Sequence, residues 1–193
     1  HIIKTAQKFI KKKLNISVKP NPIINIEKKK VLITKKKFKI KSSEKNIILG
    51  IGGSGTTKRV PAKKYIEFMK LVSTLHKPRF FLATGKNPEE QKILNEIMNS
   101  KFKNKCKRLD NLSIKKILPI ICNCDISVCN DSSFSHLSAA LGIKTIVLMA
   151  DTPIMYGTYS KNMHAIIPDG EKTVTHNTHG KNKINPQKIF NKY

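Results

Sequence analysis

The segment from position 126 to 149 constrains the fold of this chain more than any other. An apolar run, Ile126-Ser127-Val128-Cys129, leads into Asn130-Asp131-Ser132-Ser133-Phe134-Ser135-His136-Leu137-Ser138-Ala139-Ala140-Leu141-Gly142, and a second apolar run covers 143–149. That order reads as strand, tight turn, short helix, strand. The turn places an acid, two hydroxyls and a histidine at the helix N-terminus. Free backbone N–H groups and the positive end of the helix dipole make such a terminus a seat for phosphate. His136 lies one turn inside the helix, within reach of the same anion. The local physics points to a phosphate-bearing ligand.

The same alternation runs through the chain from position 46. A buried strand over 46–51 precedes a glycine- and threonine-rich loop over 52–60, and Pro61 suits the first turn of a helix reaching about position 76. A strand follows at 79–83. Asn87-Pro88-Glu89-Glu90 is a strong helix start, with a capping Asn, Pro at the first position and acids in the first turn. A short strand near 106–109 is followed by a helix capped by Ser113, which Pro119 is expected to end or kink. Strands over 125–129, 144–149 and 164–167 and a last helix after Asn185-Pro186 complete the pattern. Strands alternating with helices imply an α/β domain, a Rossmann-like doubly wound parallel sheet with ligands at the carboxyl ends of its strands. Upstream, the apolar spacing of residues 2–14 predicts a helix that Pro20 and Pro22 break. The part up to position 43 carries two lysine triplets flanking Val31-Leu32-Ile33 and reads as a connecting region with one or two exposed strands. The expected division is residues 1–45 as entry helix and lysine-rich connection, and 46–193 as the ligand-binding lobe.

Composition limits the function classes. The 193 residues carry a formal charge of +26, with arginine only at Arg59, Arg79 and Arg108. Specific nucleic-acid sites favour arginine for its planar fork, and these lysines are dispersed. The charge therefore reads first as a solvated lysine-rich surface, next as a patch for an anionic membrane, and last as a nucleic-acid site; no nucleic-acid partner is expected. No stretch approaches the ~20 apolar residues of a membrane span, and the N-terminal segment lacks a signal-peptide pattern. A cytoplasmic protein is expected, with peripheral association at an inner membrane face as a further possibility. Cys122 and Cys124 form a C-x-C and not a zinc or redox C-x-x-C, so the four cysteines read as small thiols in a reduced compartment.

Two loops fall at the expected ligand edge. In Gly52-Gly53-Ser54-Gly55-Thr56-Thr57-Lys58-Arg59-Val60-Pro61, glycines permit close backbone approach, three hydroxyls can donate, and Lys58 adds a full charge. The spacing is neither a Walker loop nor the G-x-G-x-x-G dinucleotide fingerprint. The loop is open to a second reading as a plain strand-to-helix turn, and Asp131 and Ser132 to one as helix caps. After the strand over 79–83, at the same edge, Glu89 or Glu90 can accept from a ribose or sugar hydroxyl, or simply complement the helix dipole. Ala150-Asp151-Thr152-Pro153 ends a further strand at the same edge.

Together these residues resemble the C-terminal lobe of glycosyltransferase family 9, which contains the lipopolysaccharide heptosyltransferases. The first loop is similar to that family's G-x-S-x-x-x-K-x-W-P signature, with Val60 in place of Trp. The stretch from Asp131 to Gly142 is similar to D-[TS]-G-x-x-H-L-x-A-A-L-G, with Ser133 in place of Gly. Asp151-Thr152-Pro153 resembles a G-x-T-x-P segment with Ala150 at the Gly position, and Tyr156-Gly157 and Tyr159-Ser160-Lys161-Asn162 resemble its tail. Residues 1–16 look like the helix that enters this lobe from the first one.

The resemblance implies one lobe of a two-lobed GT-B fold and an inverting transfer of a sugar from a nucleotide-diphosphate donor, with ADP-heptose as the family's donor. It implies a lipopolysaccharide or other envelope glycan as acceptor, lipid-linked at the inner membrane face. Carried onto this chain, Thr56, Thr57 and Lys58 hold phosphate oxygens, Ser54 belongs to the same donor site, and Ser132 and Ser133 offer backbone N–H groups. Asp131 sits by sugar hydroxyls, Glu89 or Glu90 by the ribose, and His136 with Lys58 steadies the leaving diphosphate. Metal-free catalysis without a cofactor is expected, since no acidic D-x-D pair stands near these loops. The general base is expected from an N-terminal lobe that this sequence lacks, so the chain alone should bind donor and transfer nothing. Two other readings remain: a basic module for nucleic acid or anionic polymer, and a degenerate sugar-nucleotide-binding protein, suggested by Val60, Ser133 and Ala150.

Overall fold

The computed structural model describes residues 2–19 and 21–193. Six strands, β1 (Lys45–Gly50), β2 (Pro78–Ala83), β3 (Cys106–Arg108), β4 (Ile126–Asn130), β5 (Thr145–Leu148) and β6 (Met163–Ile166), form one parallel sheet in the order β3-β2-β1-β4-β5-β6. Among the described residues seven α-helices accompany it: α1 (Ile2–Leu14), α2 (Lys28–Lys37), α3 (Ala62–Leu75), α4 (Pro88–Met98), α5 (Ile114–Ile121), α6 (Ser133–Ala140) and α7 (Pro186–Lys192). This is the doubly wound α/β architecture that the alternation of apolar runs predicts.

Strand side chains alternate between the two faces, so a sheet covered on both sides needs near-continuous apolar strands. Ile47 and Leu49 of β1, with Phe80, Leu82, Val128 and Ile146, pack against Tyr65, Phe68 and Val72 of α3, Leu94 of α4 and Ile189 of α7. Ile48, Phe81, Ala83 and Cys129 face the other way, onto Ile117, Ile120 and Ile121 of α5 and Phe134 of α6. Burial of this kind is worth ~25 cal/mol per Å² of apolar surface, so the two layers hold the strand ends firmly in place.

The chain winds outward from β1 in both directions, through β2 and β3 on one side and through β4, β5 and β6 on the other. Side by side at this reversal, β1 and β4 open a crevice at their carboxyl ends, where doubly wound sheets bind ligands. Gly142, just past α6, has φ +82°, the left-handed conformation that ends helices. Its amide donates to Ala139 O and the Ile143 amide to Ser138 O, which turns the chain directly into β5.

Three local expectations are corrected. Residues 28–37, expected to form exposed strands, are the helix α2. Val31, Thr34, Lys35 and Phe38 recur at helical spacing and are the half-buried side, and Asn123 Nδ2 donates to Val31 O at 3.0 Å. Packing on α5 thus overrides the β-branched triplet, and the lysines around it are good helix formers. In α5 the helix continues two residues beyond Pro119, whose buried ring removes one N–H near the helix end without breaking it. Ser113 is the N-cap position of α5, but its hydroxyl makes no capping bond. Pro20, expected to help end the first helix, lies outside the described residues. No helix among the described residues is long and apolar enough to cross a membrane.

Candidate functional site

Residues 51–60 leave β1 and residues 131–132 leave β4, and the first of these segments is fixed from beneath by Asn130, the last residue of β4. Its fully buried amide donates through Nδ2 to Ile51 O at 2.9 Å and Gly52 O at 3.2 Å, and Oδ1 accepts from Val60 N at 3.3 Å and Tyr65 Oη at 2.8 Å. Every polar atom of this side chain is thereby satisfied, as burial requires. Arg59, also buried, donates to Gly53 O at 3.0 Å and closes the loop on itself.

Glu90 clasps the same loop from the side. Its Oε1 accepts from Gly53 N at 2.7 Å, while Oε2 accepts from Gly85 N at 2.7 Å and Thr84 Oγ1 at 3.2 Å. The loops after β1 and β2 are therefore joined through one buried carboxylate. A side chain at Gly52 would meet Glu90 Oε1 at 3.0 Å, so glycine lets the clasp close.

Two adjoining cavities flank the N-terminus of α6. The larger, about 630 Å³, is lined by Gly52, Gly53, Ser54, Thr84, Gly85, Glu90, Asp110, Leu112, Ile114, Ile117, Ser132, Ser133 and Phe134. Its mixture of an apolar wall and a few polar groups is that of a small-molecule site. The smaller, about 260 Å³, is lined by Lys58, Asp131, Ser132, Ser133, His136, Thr152, Tyr156 and His176. Ser132 and Ser133 belong to both, so the first backbone N–H groups of α6 stand between them. The Ser132 amide faces Ser135 Oγ at a long 3.5 Å, and the amides of the first helical turn have no i−4 acceptor within the helix, which makes them donors toward an anion.

Charge is concentrated in the smaller cavity. Lys58 Nζ lies 3.3 Å from Asp131 Oδ2, and His136 Nε2 lies 3.8 Å from Asp131 Oδ1. Burial pulls the His136 pKa below the ordinary imidazole value, with Asp131 opposing that shift. The imidazole is then neutral near pH 7, and the longer contact is not an ion pair. On the other side of the ring, Nδ1 meets Tyr159 Oη at 2.7 Å, with the two rings stacked at 5.6 Å. The Thr152 hydroxyl is buried and has no hydrogen-bond partner among the described residues. Among those residues, no three His, Cys, Asp or Glu side chains gather where they could hold a metal ion.

The residues singled out in the sequence divide into groups. Lys58, Asp131, Ser132, Ser133 and His136 converge on the smaller cavity, and Ser54 and Glu90 line the larger one. Glu90 comes with its carboxylate already committed to three donors. The Thr57 hydroxyl lies beside Asp151. Burial pushes the Asp151 pKa up, but bonds from the Thr57 hydroxyl and the His179 amide outweigh it and hold the carboxyl below its usual value. Thr56 and Glu89 face a separate groove of about 180 Å³ with Arg59 and Lys181, and Lys181 Nζ donates to Thr56 O at 2.8 Å. Ser133 is exposed and helical, so its Cβ sits without backbone strain at the rim of both cavities. Val60, at the position of the usual Trp, is fully buried in the core.

Sequence reasoning passed over Asn130, Tyr159, Thr152 as a cavity residue, and Asp110, which Arg108 holds by contacts of 2.9 and 3.1 Å. Only an amide at the end of an apolar strand run hinted at Asn130; nothing local marks the others. The cysteines are free thiols, Cys124 and Cys129 buried and Cys106 and Cys122 half-buried. Burial pushes Cys129 up to about 11 and Cys106 to about 12, which makes them inert.

A parallel sheet in this order, with two anion-friendly loops at its switch point, defines a Rossmann-like α/β lobe. The chain belongs to glycosyltransferase family 9 (heptosyltransferase), whose profile matches residues 1–184. It is 23% identical over 160 residues to lipopolysaccharide heptosyltransferase 1 of Campylobacter coli, covering 81% of this chain and 46% of that protein. It is 31% identical over 120 residues to lipooligosaccharide heptosyltransferase 2 of Campylobacter jejuni, covering 58% of this chain and 36% of the relative. The chain thus spans about half the length, or less, of the curated relatives it matches. Among solved structures, the E. coli ADP-heptose lps heptosyltransferase II aligns with a TM-score of 0.73 at 20% identity, covering 89% of this chain and 52% of that one. The E. coli heptosyltransferase WaaC with ADP aligns with a TM-score of 0.71 at 16% identity, covering 99% and 55%. At these identities the structures establish a shared fold.

Proposed function

We propose that this chain is the donor-binding lobe of an inverting glycosyltransferase that takes a sugar from a nucleotide-diphosphate donor, ADP-heptose, and delivers it to a lipopolysaccharide or other envelope glycan acceptor. The observation that carries the proposal is the pair of cavities sharing Ser132 and Ser133 at the α6 N-terminus. The larger accommodates a nucleoside, the smaller a sugar, and the helix N-terminus between them the diphosphate. The matched E. coli structure with ADP supports the choice of base, and a relative solved with ADP-2-deoxy-2-fluoro heptose supports the choice of sugar.

The chemistry follows from charge. As the anomeric carbon parts from its diphosphate, positive charge grows on the sugar and negative charge on the leaving group. Donors placed in advance around that oxygen cluster stabilise the transition state more than the ground state. Lys58, His136 and the α6 amides are those donors. Diphosphate competes with Asp131 for Lys58, which frees the Asp131 carboxylate for sugar hydroxyls. Glu90 holds the Gly52-Gly53 backbone beside the ribose. The base that deprotonates the acceptor hydroxyl is assigned to the N-terminal lobe of the whole enzyme, with the acceptor lipid-linked at the inner membrane face.

Calorimetric titration of the chain with ADP, ADP-heptose and a UDP-sugar tests the proposal. Binding of ADP-heptose in the micromolar range, lost in Lys58→Ala and His136→Ala, is the expected result. Binding of a short DNA duplex that vanishes with salt, without any nucleotide-sugar signal, would overturn it.

A further inference from the structure

We propose that the outer face of α2 is a docking surface for an anionic phospholipid bilayer. The proposal rests on charge and exposure alone and stands apart from the donor assignment. Residues 1–39 contain 13 lysines against a single acid, Glu27. Helix α2 concentrates this charge and is fastened to the lobe through its inner side by α5. Its opposite side carries Lys29, Leu32, Ile33, Lys36 and Lys37, at the i, i+3, i+4, i+7, i+8 spacing of one helix face. Leu32 and Ile33 are 61% and 55% exposed, large apolar side chains facing water between ammonium groups.

This arrangement fits a headgroup layer. Two adjacent aliphatic side chains enter the acyl boundary, while the flanking lysines reach phosphates and lay their methylene stems along the interface. A compact ammonium attracts any anionic headgroup, whereas base readout needs the arginine fork and aromatic stacking surfaces. The α2 face has no arginine and no aromatic residue. On α5, against which α2 packs, Lys115 and Lys116 are exposed as well and extend the basic surface. The segment between α1 and α2 is itself tied to the lobe, with Ile24 N donating to Ala140 O and Ser160 Oγ donating to Asn21 Oδ1. A bilayer bound at α2 therefore holds the whole lobe.

Co-sedimentation of the chain with vesicles of phosphatidylethanolamine and phosphatidylglycerol, against vesicles of phosphatidylcholine alone, tests this. Partition onto the anionic vesicles is expected to fall about tenfold in Leu32→Gln/Ile33→Gln and in Lys29→Gln/Lys36→Gln. In Lys63→Gln/Lys70→Gln, which removes the same charge from α3 across the sheet, it should change by less than about twofold. The chain contains no tryptophan, so Leu32→Trp supplies a sole reporter whose emission should shift to the blue on anionic vesicles. Leu75→Trp, exposed at the end of α3, should not shift. Equal loss in the α3 variant, equal binding to phosphatidylcholine, an unshifted reporter at position 32, or preference for a DNA duplex over the vesicles would each overturn the proposal.

Discussion

Tyr159 Oη lies 2.7 Å from His136 Nδ1, and the phenol stacks on the imidazole with 13° between the ring planes. With the Asp131 carboxylate facing Nε2, the neutral ring is best served by a proton on Nε2 and an Nδ1 that accepts from the tyrosine. The tyrosine thus aims an N–H into the cavity where a diphosphate would sit. Tyr159→Phe should keep the stack and the fold but weaken ADP binding about three- to tenfold, the worth of one hydrogen bond. Calorimetry beside a melting curve separates this from a folding defect.

A bound diphosphate changes the charge that His136 feels. Burial holds its pKa below the usual imidazole value in the free protein, and a nearby anion moves it up again. ADP should therefore bind with proton uptake and tighten as pH falls from about 8 to about 6. Titrations in buffers of different ionisation enthalpy measure the proton count. In His136→Gln the uptake should vanish.

Stability should respond to pH through the same residue and through His164. Burial lowers both pKa values, and for His164 Lys144 and Lys192 add to the effect. Each imidazole thus binds a proton more readily in the unfolded chain. Their contribution is complete above the unfolded value of about 6.5 and is lost as pH falls through the lower folded values. The urea midpoint should drop between about pH 7 and pH 5, and the double variant His136→Gln/His164→Gln should show a flatter profile over that window.

The Glu90 clasp predicts a stability loss. Glu90→Ala leaves three donors without acceptors, two of them backbone amides, at a cost of about 2–4 kcal/mol. Glu90→Gln turns one acceptor oxygen into a donor facing an N–H and should cost about 1–3 kcal/mol. Urea unfolding measures both. An unchanged midpoint in Glu90→Ala would show that the loops after β1 and β2 hold their positions without the carboxylate.

Legibility in the sequence varied with the range of the interaction that decides each feature. Asn87 was readable as a cap because its partner is Glu89 N, 3.0 Å away and two residues on. Lys58 and His136 could be placed at the same sheet edge because each lies on a loop or helix whose start is locally encoded. Glu89 and Glu90 were not separable, since adjacent helical residues point about 100° apart. Only packing shows that Glu90 turns inward to Gly53 and Glu89 outward to another groove. Helix α2 was misread because Val31-Leu32-Ile33 has strand-like composition, whereas its helical face exists only against α5.

What the sequence alone determined is the order of strands and helices from β1 onward, the two loops at the switch point and the family. Apolar periodicity, caps and glycines act over a few residues and need no partner from elsewhere in the chain. The tertiary structure decided how the site is held: Asn130 to Tyr65, Glu90 to Gly53, Tyr159 to His136 and Asp151 to His179. Each of these contacts joins segments that the winding of the sheet brings together. Their geometry depends on crossing distances between elements, a quantity that packed side-chain volumes set and local sequence does not encode.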